Sequence, residues 1–122
     1  MIEEKDYMMR LIRKVGAFLR LMFNGDSSQI DEMEVEDMLS DLAGLPVGML
    51  LQMNHTSLLT LLRQLSDADR IGMAAALLVV KGRLAQRDDI IAAGESLLKE
   101  DHGTRSSDLN KVIEELLQKH SP

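Results

Sequence analysis

Few side chains in this sequence have the type and spacing needed to perform chemistry. The three histidines, His55, His102 and His120, are scattered, and no two of them stand four residues apart as in a helical zinc motif. Ser57 lies close to His55, but a catalytic serine also needs an orienting group and an oxyanion hole that meet it in space. The chain has no cysteine, which excludes disulfides, thiolate metal sites and cysteine nucleophiles. We therefore predict a protein that is not an enzyme and has no metal site.

Two further patterns resemble binding motifs only in composition. The acidic run from Asp26 to Glu36 lacks the alternating oxygen ligands and the central glycine of a calcium loop, so we interpret it as a solvated helix face. Gly72, Gly82 and Gly94 do not form the glycine-rich turn that cradles a phosphate after a strand. We expect no cofactor.

The net charge is −6 and the isoelectric point is near 5.0, whereas nucleic-acid binding depends on cationic neutralisation of phosphates. The aromatic residues that could stack on bases are only Tyr7, Phe18 and Phe23. These two features argue against a nucleic-acid partner.

The elements that would position any site are helices, and the central one is the segment Ser66 to Arg87. No charged residue interrupts it from Ile71 to Val80, and a helix that is apolar all round belongs in the interior of a fold. One of its faces is small and contains Gly82, whereas the opposite face is bulky. We predict that this helix packs between two partners. Its apolar run is too short to span a bilayer, which takes about 20 residues.

Helical periodicity recurs along the rest of the chain, and no segment alternates with the period of a strand. The pattern predicts an all-α fold: one domain, residues 1–122, with about six helices arranged in antiparallel hairpins. We expect the helices at residues 3–23, 28–43, 57–65, 67–87, 88–101 and from 107 onward, with a short helix or turn at 47–53. The expected caps are Gly25 at the end of the first helix, then Asn54 or Thr56, Ser66 or Asp67, Asp88, and Ser107 or Asp108.

Charge is distributed unevenly between the first two helices. Residues 1–25 carry five basic and three acidic side chains, whereas residues 26–46 carry seven acidic and no basic ones. We predict that the two helices form an antiparallel hairpin with complementary polar flanks, which steer the pairing more than they stabilise it. The nine methionines mostly occupy core-compatible positions, Met33 and Met49 among them, with an adaptable surface for a partner helix as the alternative.

The segment from Leu78 to Leu98 resembles one tetratricopeptide repeat. Large, small and medium residues stand at the spacings of that motif, namely Leu78, Gly82, Ala85, Gly94 and Leu98. Small residues at Gly82 and Gly94 would let two antiparallel helices cross closely. Lys81 and Asp101 depart from the motif, where an apolar and a small residue are expected. The resemblance implies a tetratricopeptide-like helical hairpin.

The opening residues from Glu4 to Ile12 resemble the start of a family of small bacterial proteins known only as a domain of unknown function. The specific part is Asp6 to Ile12, and the likeness extends loosely over the following acidic helix, the leucine-rich middle and the tetratricopeptide-like pair. This resemblance implies no activity and no functional residues.

These observations favour a non-catalytic protein-interaction or scaffold module. The first helix carries more large apolar residues than one neighbour easily covers, and an uncovered stripe marks an interface, often that of a two-fold homodimer. Coverage by helices 2 and 3, leaving a monomer, is the alternative. The candidate interface consists of Tyr7, Met9, Arg10, Arg13, Arg20, Leu21 and Phe23.

Two other function classes stay open. The basic face of the first helix could place the protein on an anionic membrane as a peripheral adaptor, although acids in its first turn oppose this. A small-molecule-binding or catalytic helical protein is the third class. The opening residues lack the basic start and unbroken apolar core of a signal peptide, so we expect a cytoplasmic protein.

Overall fold

The computed structural model describes residues 4–100 and 103–120, and none of them lies in a β-strand. The predicted all-α fold class is confirmed. The helices are α1 (Glu4–Phe23), α2 (Glu32–Ala43), α3 (Val47–Gln52), α4 (His55–Arg63), α5 (Ala68–Leu84), α6 (Asp88–Lys99) and α7 (Ser107–His120), with a 3₁₀ turn at Ser27–Gln29. We expected about six helices and left residues 47–53 as a helix or a turn, and that segment forms α3. Asp101 lies outside the described residues.

Helix α5 lies at the centre of the fold. Every residue from Ile71 to Gly82 is buried, as expected for a helix that carries apolar side chains on all sides. We predicted two partners for it, but it packs against α1, α2, α4, α6 and α7. Apolar side chains from all seven helices join in one continuous core around it.

Helices α5 and α6 cross at two glycines. A Cβ atom added at Gly82 would lie 2.7 Å from Ile91 Cγ1, and one added at Gly94 would lie 2.6 Å from the carbonyl oxygen of Ala75. Gly82 of α5 lies beside Ile91 of α6, whereas Gly94, later in α6, lies beside Ala75, earlier in α5. The two helices therefore run antiparallel. The backbones thus approach at distances that only glycine permits.

The turn between these helices uses a residue that sequence analysis overlooked. Gln86 adopts a φ of 56°, the left-handed conformation that usually falls to glycine. The amide of Gln86 donates to the carbonyl of Arg83, and that of Arg87 donates to the carbonyl of Gly82. These two bonds form a Schellman motif, the same motif that ends α1 at Gly25 as predicted.

The start of α2 and the N-caps of α6 and α7 differ from the prediction. Helix α2 begins at Glu32 rather than at residue 28, since the Asp31 carboxylate accepts from the amide of Glu34. Helix α7 is capped by Ser106, whose hydroxyl accepts from the amide of Leu109, and α6 has Arg87 rather than Asp88 at its N-cap. The predicted caps Asn54 and Asp67 are confirmed. The Oδ1 atom of each accepts a hydrogen bond from a backbone amide three residues later, at 2.8 Å.

The predicted hairpin of α1 and α2 is wrong. Helix α1 packs chiefly on α5 and α7, and α2 packs chiefly on α5. Among the described residues, one ion pair links the two helices, from Lys14 to Glu34 at 2.8 Å. The apolar stripe of α1 is therefore covered by α5 and α7 rather than by α2 and α3. Tyr7, a member of the candidate interface, is 39% exposed.

Gly94→Ala is expected to lower the free energy of unfolding by about 1–3 kcal/mol, because its Cβ would overlap backbone atoms of α5 that cannot move independently. The matched control is Gly48→Ala in α3, where an added Cβ meets nothing within 4 Å. That variant should be neutral or gain up to about 1 kcal/mol from helix propensity. Urea unfolding of both variants measures the difference, and an unchanged midpoint for Gly94→Ala would contradict the close crossing.

Candidate interaction groove between the first and last helices

A groove of about 300 Å³ separates α1 from α7. It combines apolar and charged side chains, and its lining residues are Met9, Ile12, Arg13, Gly16, Arg20, Asp108 and Val112. Three of them, Met9, Arg13 and Arg20, belong to the candidate interface that the sequence predicted.

The floor of the groove is open because residue 16 has no side chain. An added Cβ at Gly16 would lie 3.4 Å from Val112 Cγ2 and 3.6 Å from an Nη atom of Arg20. Ile12 is buried beside it and Val112 is half-buried. The floor is therefore apolar, and the guanidinium of Arg20 folds back towards it.

Two arginines of α1 supply the positive charge of the groove. Arg13 and Arg20 are both exposed, and neither makes a hydrogen bond or an ion pair with any residue that the structure describes. Lys14, on the same helix, is instead paired with Glu34. Asp108, in the first turn of α7, places one carboxylate among the lining residues. The groove thus offers two guanidinium groups that are available for an incoming anion.

The α7 wall is positioned by a contact with α5. The backbone amide of Ser106 donates to the Asp69 carboxylate at 2.7 Å, immediately before α7 begins. An added Cβ at Gly72 would lie 3.1–3.2 Å from side-chain atoms of Arg105, Leu109 and Ile113, so α7 lies close against α5. The width of the groove therefore depends on how α5 holds both α1 and α7.

The other predicted interface residues lie outside the groove lining. Tyr7 and Arg10 are exposed on α1, whereas Leu21 and Phe23 are half-buried against the core. The predicted helix-crossing residues, Gly82 and Gly94, are buried between α5 and α6 and take no part in this surface.

Sequence analysis missed the role of Lys81, the one charged side chain that is buried among the described residues. Its ammonium lies 2.6 Å from a carboxylate oxygen of Glu32 and 2.6 Å from one of Glu36. Burial lowers the pKa of Lys81, but the hydrogen bonds and negative charges of the two glutamates outweigh it and raise the pKa above its ordinary value of 10.5. The spacing of Glu32 and Glu36, which puts both on one face of α2, was the available signal.

Hydrogen bonds from two arginines link further helices. Arg63 of α4 donates two hydrogen bonds to the Glu100 carboxylate, at 2.9 and 2.6 Å, which joins α4 to the end of α6. Arg87 binds Asp89 and also donates to the carbonyl oxygen of Leu51 near the end of α3. The hydrogen bond from Arg87 holds the pKa of Asp89 below its usual value. The Arg63–Glu100 pair and the hydrogen bond from Arg87 to Leu51 are therefore structural links between helices.

The residues that the sequence offered for chemistry are separated in the described part of the chain. His55 and Ser57 are both exposed in the first turn of α4, but residues two apart on a helix do not face each other. His102 lies outside the described residues. No group of three or more potential metal ligands occurs within residues 4–100 and 103–120. In the same part of the chain, no helix is long and apolar enough to cross a membrane.

No protein-family model matches the chain, and neither the curated proteins nor the solved structures contain a significant match. The geometry of the groove is therefore the basis for a functional interpretation.

Lys81 should make the stability of the protein fall at alkaline pH. Because its pKa is raised in the folded state, the folded protein holds this proton longer than the unfolded chain does. The stabilisation is complete below the unfolded pKa of lysine and is lost as the pH rises through the folded pKa. We expect the difference in unfolding free energy between wild type and Lys81→Met to shrink above pH 10.5. Chemical denaturation at several pH values measures it, and a pH-independent difference would refute the coupling.

Gly16→Ala should raise the free energy of unfolding by about 0.5–1 kcal/mol, because alanine is the better helix former and its Cβ would make only ordinary contacts here. The matched control is Ala17→Gly, one residue along the same helix, which should lose a similar amount. Thermal or urea unfolding measures both changes. Destabilisation by Gly16→Ala would mean that α7 lies closer to α1 than the structure has it.

Proposed function

We propose that this chain is a non-catalytic protein-interaction module and that it binds its partner through the groove between α1 and α7. The observation that carries the proposal is the pairing of an apolar floor with two arginines, Arg13 and Arg20, that have no partner among the described residues. Interfaces are enriched in arginine and methionine at the expense of lysine and aspartate, and Met9 completes the set. The partner segment would contribute an apolar side chain flanked by carboxylates.

The size of the groove favours a protein partner over a small ligand. A volume of about 300 Å³ is at the lower limit for pockets that enclose a drug-sized molecule, which bury most of the ligand surface. A groove of this size suits one or two side chains of a partner segment. We therefore favour protein interaction over small-molecule binding or catalysis as the function of this groove.

The position of α1 argues against the peripheral membrane adaptor. An interfacial helix inserts its apolar face among the lipids, but Leu11, Val15 and Phe18 of that face are packed in the core. The basic side chains alone would give only salt-sensitive attraction to an anionic surface. We further propose a cytoplasmic location, in keeping with the cysteine-free sequence.

A photo-crosslinking amino acid at position 108, on the α7 side of the groove, tests the proposed function in the source cell. Crosslinks to a partner are expected there and should fall at least tenfold with Arg13→Glu and Arg20→Glu, because both variants reverse the charge of the groove. The matched control is Arg10→Glu, which makes the same charge change on α1 outside the groove lining.

A second crosslinker at Ser57, which is exposed on α4, measures the amount of non-specific crosslinking. Equal crosslinking from both positions, or capture that survives both groove substitutions, would show that the groove is not the binding surface. Helical content by circular dichroism must be unchanged in each variant for the comparison to count.

A further inference from the structure

Four of the seven acidic side chains in segment 26–46 have a partner within the fold. Asp31 caps α2, Glu34 pairs with Lys14, and Glu32 and Glu36 share Lys81. Asp37 and Asp41 differ from them, because both are exposed and neither has a partner among the described residues. These two carboxylates are therefore available for a partner outside the chain.

Asp37 and Asp41 share one face of α2 with a conspicuously exposed apolar residue. Met33 is 71% exposed, the highest value among the large hydrophobic residues that the structure describes. We had placed it at a core-compatible position, which is wrong. Met33, Asp37 and Asp41 follow one another at four-residue intervals and so form a row along the helix surface, which we name the α2 ridge.

The α2 ridge and the groove have complementary chemistry. The ridge presents one apolar side chain followed by two carboxylates, and the groove presents an apolar floor flanked by two guanidinium groups. Arg13 and Arg20 stand seven residues apart, about 10 Å along α1, and Asp37 and Asp41 stand four residues apart, about 6 Å along α2. Because arginine side chains are long, the two guanidinium groups can converge on the closer carboxylates. The two surfaces therefore match in charge and polarity.

We propose that the α2 ridge of one copy docks into the groove of a second copy, with Met33 on the apolar floor and the carboxylates of Asp37 and Asp41 paired with Arg13 and Arg20. Methionine suits this role because its unbranched side chain adapts to an irregular surface. The contact joins two different surfaces, so it is head-to-tail, and it closes into a two-fold pair only if both contacts form at once. The inference rests on the proposed function only in that both use the same groove.

The contact is small and its ion pairs remain partly exposed, so the association is weak and sensitive to salt. Sedimentation equilibrium of the wild-type protein from about 10 µM to 1 mM should show a mean mass that rises above 13.6 kDa with concentration. Salt at about 0.5 M should suppress the rise, because screening weakens exposed charge pairs. A mass of 13.6 kDa throughout this range would overturn the inference.

A charge-swap experiment identifies the two surfaces. The groove variant carries Arg13→Glu with Arg20→Glu, and the ridge variant carries Asp37→Arg with Asp41→Arg. Each alone brings like charges together and should remain monomeric. Their mixture should associate, since the acidic ridge of the first meets the basic groove of the second, and the basic ridge of the second meets the acidic groove of the first.

Two controls keep the test decisive. Arg10→Glu alone should associate like the wild-type protein, because Arg10 lies outside the groove lining and this variant keeps both surfaces intact. If a reversed variant fails to fold, the neutral pair Asp37→Asn with Asp41→Asn should still lose the concentration-dependent mass. A mixture that stays monomeric, or neutral variants that associate like wild type, would refute self-docking. The crosslinks to another protein from position 108 would be unaffected by that failure, so the proposed function is judged separately.

Discussion

The fold depends on the burial of one helix that has no polar side. Helix α5 is apolar on every face between Ile71 and Val80, so each face that stayed in water would cost free energy in proportion to its area. Neighbouring helices from both ends of the sequence must therefore surround it. Two glycines make the tightest contact possible, because at Gly82 and Gly94 the absent side chains let α6 approach the backbone of α5.

Among the described residues, one charged side chain, that of Lys81, is buried in this interior, and two glutamates pair with it. Lys81 interrupts the apolar sequence at the end of α5, where a tetratricopeptide pattern would place an apolar residue. An unpaired buried ammonium would be costly, but Glu32 and Glu36 both reach it at 2.6 Å while remaining partly hydrated. The acidic character of α2 is thus explained more by α5 than by the basic α1, and this contact fixes how α2 lies across the centre.

The candidate groove follows from the same packing. Because α5 packs against both α1 and α7, the two outer helices lie beside each other and leave a groove that the missing side chain of Gly16 keeps open. Arg13 and Arg20 have no hydrogen-bond or ion-pair partner among the described residues. Arginines without such a partner beside an apolar floor suit recognition of another molecule, and this reasoning underlies both the proposed partner and the proposed self-docking.

The sequence by itself determined which segments are helical and which of them is central, because helical periodicity and an uninterrupted apolar run are local properties. The residue types at Gly25, Asn54 and Asp67 also predicted these helix caps correctly. The caps Asp31 and Ser106 were not predicted, because several neighbouring polar residues compete for the same orphan amides.

Only the tertiary structure decided which neighbour covers each face. A stripe on α1 predicts burial, but it does not distinguish α2 from α7 as the cover, and the charge pattern pointed to the wrong one. The pairing of Lys81 with α2 joins residues 45 and 49 positions apart, a distance over which no local spacing carries information. The groove has the same origin, since Gly16 and Val112 become neighbours only when α5 brings the two ends of the chain together.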